Sequence, residues 1–143
     1  MRHDLEVSES IEINTGPGRV WETLTSPEKI KEYLFGTQTI TDWKKGSEII
    51  FEGEYRGKKY RDKGVIKEII PEKILTYTYW SGFTGLEDKP ENYSLITYTL
   101  EKIGGGKTRF TWKQKGFGDE NGYKHSKDGM KGLLEQIKSI SEV

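Results

Sequence analysis

The stretch Asp119 to Val143, DENGYKHSKDGMKGLLEQIKSISEV, decides the architecture. Met130, Leu133, Leu134, Ile137 and Ile140 recur at spacings of three and four, one stripe of a 3.6-residue period. Projected back, the stripe takes in Tyr123, Ser126 and Lys127, while Lys131, Glu135, Lys138 and Ser139 form the opposite, water-facing side. This is the only long amphipathic helix in the chain, and nearly everything before it reads as strand. Neither element can bury an apolar face alone, so the helix must lay its stripe across a sheet. Gly129 and Gly132 sit inside it, where each costs about 1 kcal/mol relative to Ala. They imply either a close approach of helix to sheet or room left between the two.

Working outward, Gly116 to Gly122 is a loop carrying Phe117 between glycines. Before it lies a meander of strands: about Ser47 to Glu54, Lys59 to Ile70, Ile74 to Trp80, Tyr93 to Ile103 and Lys107 to Phe117. Arg56-Gly57-Lys58 and Gly104-Gly105-Gly106 are hairpin turns. The loop Ser81 to Asn92 is long for a hairpin and contains Phe83 between glycines. Near the N-terminus Leu5, Val7, Ile11 and Ile13 alternate as a first strand, giving six in all. Pro17, after a Thr15 or Gly16 cap, and Ser26-Pro27-Glu28 open two short helices whose inward residues are Val20, Trp21 and Leu24, then Ile30, Tyr33 and Leu34. The expectation is an α+β fold in one domain, residues 1–143, with six antiparallel strands, two short helices and the long C-terminal helix.

Alternation assigns faces to the strands. Ile96, Tyr98 and Leu100 share one face of their strand, and Phe110, Trp112 and Gln114 share one face of theirs. For Ile74 to Trp80 both faces are plausible, and the set ending in Trp80 is expected inside, with Tyr77 on the outer face.

Composition narrows the function. Lys plus Arg equals Asp plus Glu at 23 each in 143 residues, so no basic face is forced and nucleic acid is a poor partner. There is no apolar run near 18 residues and no signal peptide, which makes a cytoplasmic location the expectation. Zero cysteines excludes disulfides, thiol catalysis and Cys-ligated zinc. The two histidines, His3 and His125, are far apart in sequence, and no metal or cofactor is expected. No nucleophile elbow and no phosphate-cradling loop occurs, so no catalytic residue is assigned. Glu9 alone among the carboxylates shares a strand face with apolar residues, and nothing in the sequence supplies it with a partner.

The segments Val20 to Ile30, Pro71 to Leu75, Gly104 to Thr108, and Gly129-Met130 with Leu134 and Ile137 carry a resemblance. The chain resembles the START-like, birch-pollen-allergen-like superfamily and, within it, the family related to the C-terminal domain of the activator of heat-shock-protein-90 ATPase. The resemblance covers nearly the whole chain. It implies the helix-grip fold, a curved antiparallel sheet wrapped around the C-terminal helix. The family usually has Gly-Trp where this chain has Gly129-Met130, so the interior beside that helix is expected to differ.

Three functions follow from the resemblance. The first is binding of a small hydrophobic or aromatic ligand between sheet and C-terminal helix. Phe51, Trp80, Tyr98, Phe110, Trp112, Gln114, Tyr123, Met130, Leu133 and Leu134 would line that cavity, with Phe83 and Phe117 at its mouth. The second is protein interaction with a chaperone, although chaperone-activating relatives carry a further N-terminal domain. The third is an enzyme of the polyketide-cyclase or hydrolase kind, which needs ionisable groups meeting in the cavity.

Overall fold

The structure is a computed structural model describing all residues from Met1 to Val143. One sheet of seven antiparallel strands runs in the order β1-β7-β6-β5-β4-β3-β2. Its strands are β1 (Arg2–Ile13), β2 (Gln38–Ile40), β3 (Glu48–Tyr55), β4 (Lys58–Ile70), β5 (Ile74–Tyr79), β6 (Ser94–Ile103) and β7 (Lys107–Phe117). The helices are α1 (Pro17–Thr25) and α2 (Pro27–Tyr33), between β1 and β2, and α3 (Glu120–Glu142). The fold class, the two short helices and the long terminal helix match the sequence reading; the strand count is seven rather than six. The added strand, β2, has only three residues, Gln38, Thr39 and Ile40, too few to show a period.

Local chemistry explains the boundaries. Asp119 caps α3, its Oδ1 accepting the Gly122 N–H at 2.8 Å. Pro17 and Pro27 open α1 and α2 at positions where a missing N–H is harmless. Arg56 and Gly57 both adopt positive φ, 51° and 79°, the pairing that a two-residue type I′ hairpin between β3 and β4 demands.

The stripe of α3 buries Met130, Leu134 and Ile137, extended at its end by Ser141, with Leu133 and Ile140 half-buried. The helix packs chiefly on β1 and α1, so it covers one side of the concave face. Gly129 and Gly132 are exposed, with nothing within 4 Å of where a Cβ would stand. Neither a close approach nor room beside the sheet explains them, because they face away from it.

The face of β5 is the reverse of the expected one. Leu75 and Tyr77 are buried in the core and Tyr79 packs against it, while Trp80 lies outside that core, half-buried, its Nε1–H donating to the Leu86 carbonyl at 3.3 Å. The reason is register. Leu75 pairs with Tyr98 and Tyr77 with Ile96, so these residues must share the inner face of β6. An irregularity between Ile66 and Glu68 of β4 also breaks the alternation of that strand before it turns into β5.

Candidate functional site

The concave face divides between two covers. Toward β1 and β7 it lies under α3 and α1. Toward β3 and β2 it lies under α2 and the segment that includes Trp43. Between them the middle strands present aromatic side chains: Phe51 from β3, Tyr77 from β5, Tyr98 from β6, and Phe110 and Trp112 from β7. Strand alternation aims them inward, and their rings pack in tilted and edge-to-face pairs. Tyr98 lies 4.7 Å from Trp112, 5.6 Å from Phe110 and 5.7 Å from Tyr77, and Phe51 lies 5.7 Å from Tyr77.

These rings leave little space. A small, partly open void of about 10 Å³ is walled by Leu24, Ile30, Tyr33, Leu34, Trp43, Ile49, Phe51, Leu75, Tyr77 and Tyr98. That is room for about one water molecule. It sits beneath α1 and α2, and no residue of α3 touches it.

Of the residues expected at a cavity, Phe51 and Tyr98 wall this void. Phe110, Trp112, Met130 and Leu134 are buried in the continuous core around it. Gln114 is half-buried, its Nε2 donating to Ser94 Oγ at 3.4 Å and to the Gly116 carbonyl at 3.3 Å. Tyr123 and Leu133 are half-buried on α3, and Trp80 is on the other side of the sheet. The two mouth residues part company. Phe117 is buried, edge-on to Tyr123 at 5.6 Å, and Phe83 is 54% exposed against Tyr60 and Tyr55. Their loops still touch: a Cβ on Gly118 would stand 3.2 Å from Thr84 Cβ. Glu9 is half-buried and directly opposite Trp112 in the β1–β7 pairing. His125 is exposed, and His3 Nε2 meets the Glu91 carbonyl at 2.7 Å.

The polar chemistry of the interior is phenolic. The hydroxyls of Tyr77 and Tyr98 bond at 2.8 Å. Burial holds the phenols of Tyr33, Tyr77, Tyr79 and Tyr98 well above their ordinary range, so all four stay neutral donors. Three buried polar atoms have no protein partner: Trp112 Nε1, Thr39 Oγ1 and Asp62 Oδ1. The sequence reading missed Asp62, the only charged residue that is buried. Its Oδ2 accepts the Tyr79 hydroxyl at 2.5 Å, and burial raises its carboxyl above the usual range. The available signal was Phe51-x-Gly53 paired across a two-residue turn with Tyr60-x-Asp62. That pairing puts Asp62 beside Phe51, on the same face.

Solved structures share this architecture. The protein ChR145 from Cytophaga hutchinsonii is 40% identical, over 96% of this chain and 94% of its own, with a TM-score of 0.81. The Aha1 dimer from Colwellia psychrerythraea is 15% identical over 97% of each chain, with a TM-score of 0.74. An HSP90 activator from Plasmodium falciparum is 15% identical over 95% of each, with a TM-score of 0.73. At 15% identity the likeness is one of fold alone. No curated protein matches the chain. No helix is long and apolar enough to cross a membrane. The family described as Activator of Hsp90 ATPase homolog 1-like protein matches residues 14–142, and the chain belongs to that family.

Proposed function

We propose that this protein is a noncatalytic binding module for a small apolar or aromatic molecule, taken into the interior of the helix-grip. The observation that carries the reading is Trp112. Its Nε1–H is buried without a partner, on a ring tilted against Tyr98 with centroids 4.7 Å apart. An unsatisfied buried donor costs about 1–3 kcal/mol, and a core built only for stability would use Phe there. The tyrosines beside it add neutral polar handles to an apolar wall, the usual composition of a small-molecule site. A void of about 10 Å³ holds no such ligand, so binding opens the α1–α2 cover. Leu34 and Trp43, half-buried at its rim, are the side chains that move, and Phe83 and its loop flank the way in.

Native mass spectrometry of the purified protein tests for a retained molecule. In parallel, an anilinonaphthalene sulfonate dye and a hydrophobic fragment library should shift tryptophan emission and raise the melting temperature, because a ligand that binds only the native state stabilises it. Trp112→Phe keeps the ring and removes the donor. It should weaken ligands that carry an acceptor by about tenfold, the equivalent of roughly 1.4 kcal/mol.

A second reading, interaction with a chaperone or another protein, rests on one surface. Tyr55 and Phe83 are about half exposed, with Arg56 over the Tyr55 ring at 5.2 Å and Lys58 over the Phe83 ring at 5.9 Å. Exposed aromatics beside cations suit a protein contact. Unchanged melting and emission across dye and library would put this reading first.

A further inference from the structure

Two of the three unpartnered atoms sit together; the third, Trp112 Nε1, lies apart on β7. β2, β3 and β4 pair in register so that Thr39 faces Phe51 and Phe51 faces Asp62. Adjacent strands lie about 4.8 Å apart, so the Thr39 and Asp62 backbones stand roughly 10 Å apart with the Phe51 side chain between them. Two of the orphaned atoms, Thr39 Oγ1 and Asp62 Oδ1, thus flank one aromatic ring, and that ring also walls the void. Tyr79 closes the group, edge-on to Phe51 at 6.0 Å and donating to Asp62 Oδ2.

A carboxylate taken out of water is expensive unless both oxygens are bonded. Here only one is. The free Oδ1 of Asp62 is an acceptor, and the free Oγ1 of Thr39 accepts or donates. What complements them is a hydrogen-bond donor, and a positively charged one complements the carboxylate best.

We propose that Asp62, with Thr39 and Phe51, forms the polar end of the ligand site and selects a small aromatic molecule bearing a primary amine. This rests on the binding-module reading and adds the class of ligand. The aromatic part lies against Phe51 and Tyr77, in space made when the α1–α2 cover opens beside the void, and the ammonium bonds Asp62 Oδ1. Burial disfavours the ionised carboxyl, and a seated ammonium offsets that by pairing with it.

The test compares 2-phenylethylamine with n-propylbenzene, which replaces the amine by a methyl, on the full chain. Amide NMR shifts locate each probe and titration gives its affinity. The amine should bind at least about tenfold tighter, equivalent to roughly 1.4 kcal/mol, with the largest shifts at Thr39, Phe51 and Asp62. Asp62→Asn should erase that preference and leave the hydrocarbon's affinity unchanged. Tyr79→Phe frees the second Asp62 oxygen and should increase the preference, which guards against an Asp62→Asn protein that folds poorly. Equal affinities for the two probes, or a preference indifferent to both substitutions, overturn the amine assignment and leave the binding module standing. If neither probe shifts any interior amide, both fall.

Discussion

The two ends of the concave face are built to different rules. Toward β1 and β7, the hydroxyls are satisfied. Ser141 Oγ donates to Thr23 Oγ1 at 2.8 Å and also meets the Ile137 carbonyl, and Thr108 Oγ1 donates to the Thr15 carbonyl at 2.8 Å. Ile137, Phe110 and Ile13 are fully enclosed there. Toward β2 and β4, the cover is the seven-residue α2, and Thr39 and Asp62 keep oxygens without partners. The unpartnered oxygens are therefore housed toward β2 and β4 and the paired hydroxyls toward β1 and β7, with the Trp112 indole on β7 the one unpartnered donor at the stable end. A helix of 23 residues can bury a stripe that pins one end, while a short helix over the other can yield.

The largest test of that contrast is Leu134→Ala. Leu134 is 1% exposed on the inner stripe of α3, so its truncation should destabilise by roughly 2–5 kcal/mol in denaturant melts. A cost below about 1 kcal/mol would mean that α3 does not anchor the fold, and the contrast would fail at its strong end.

The next test concerns the weak end and pH. Burial raises the Asp62 carboxyl above its ordinary value, with hydrogen bonds from the Tyr79 and Ser81 hydroxyls opposing. A carboxyl whose folded value is raised favours the native state below the unfolded value, and that contribution is lost as pH rises through the folded one. Wild type should therefore lose ground to Asp62→Asn as pH climbs from about 3 to about 7. Comparing the two proteins removes the opposite trend from Asp4, Asp88 and Glu142, whose carboxyls are held low by Arg2, Lys63 and Lys138 respectively. A gap that stays constant with pH would mean that Asp62 is solvated, and the polar end would lose its distinction.

The same contrast explains what was legible in the sequence. The stable end was readable because its signals are long: the α3 stripe spans six turns, and β6 and β7 each alternate over ten or more residues. The weak end rests on short or broken signals. β2 has three residues, and β4 carries an irregularity that desynchronises its face from that of β5. Within β5 both alternating sets carry apolar residues, so only pairing with β6 decides that Tyr77 rather than Trp80 is inside. Asp62 was passed over because a single charged residue in a strand reads as solvent-facing until its partner strand is known. The glycines of α3 show a different failure. Their cost was legible, but the direction they face was not read from the stripe, which already set Gly129 and Gly132 off the inner side.

Those glycines give a smaller effect of the opposite sign. With open space around both and helical backbone, Gly129→Ala and Gly132→Ala should each stabilise by about 0.5–1 kcal/mol, visible as a raised melting temperature. A loss instead would mean that something packs on the outer face of α3, and the strong end would then be an interface as well.

The smallest effect discriminates best, because it sets one hydroxyl against another. Ser141→Ala removes an oxygen with two partners and strands Thr23 Oγ1, which otherwise bonds only the Arg19 carbonyl at 3.2 Å. It should cost about 1 kcal/mol. Thr39→Val removes an oxygen with no partner and keeps the branched shape, which suits a strand. It should be neutral within about 0.5 kcal/mol, or slightly stabilising, since the unpaired group no longer has to be desolvated. Both are read from urea midpoints at constant slope. Equal costs would require the Thr39 hydroxyl to be bonded in solution, by a trapped water or a carried-over molecule. Melts repeated after unfolding and refolding in clean buffer separate these two: a water returns and the cost persists, whereas a lost ligand takes the cost of Thr39→Val with it.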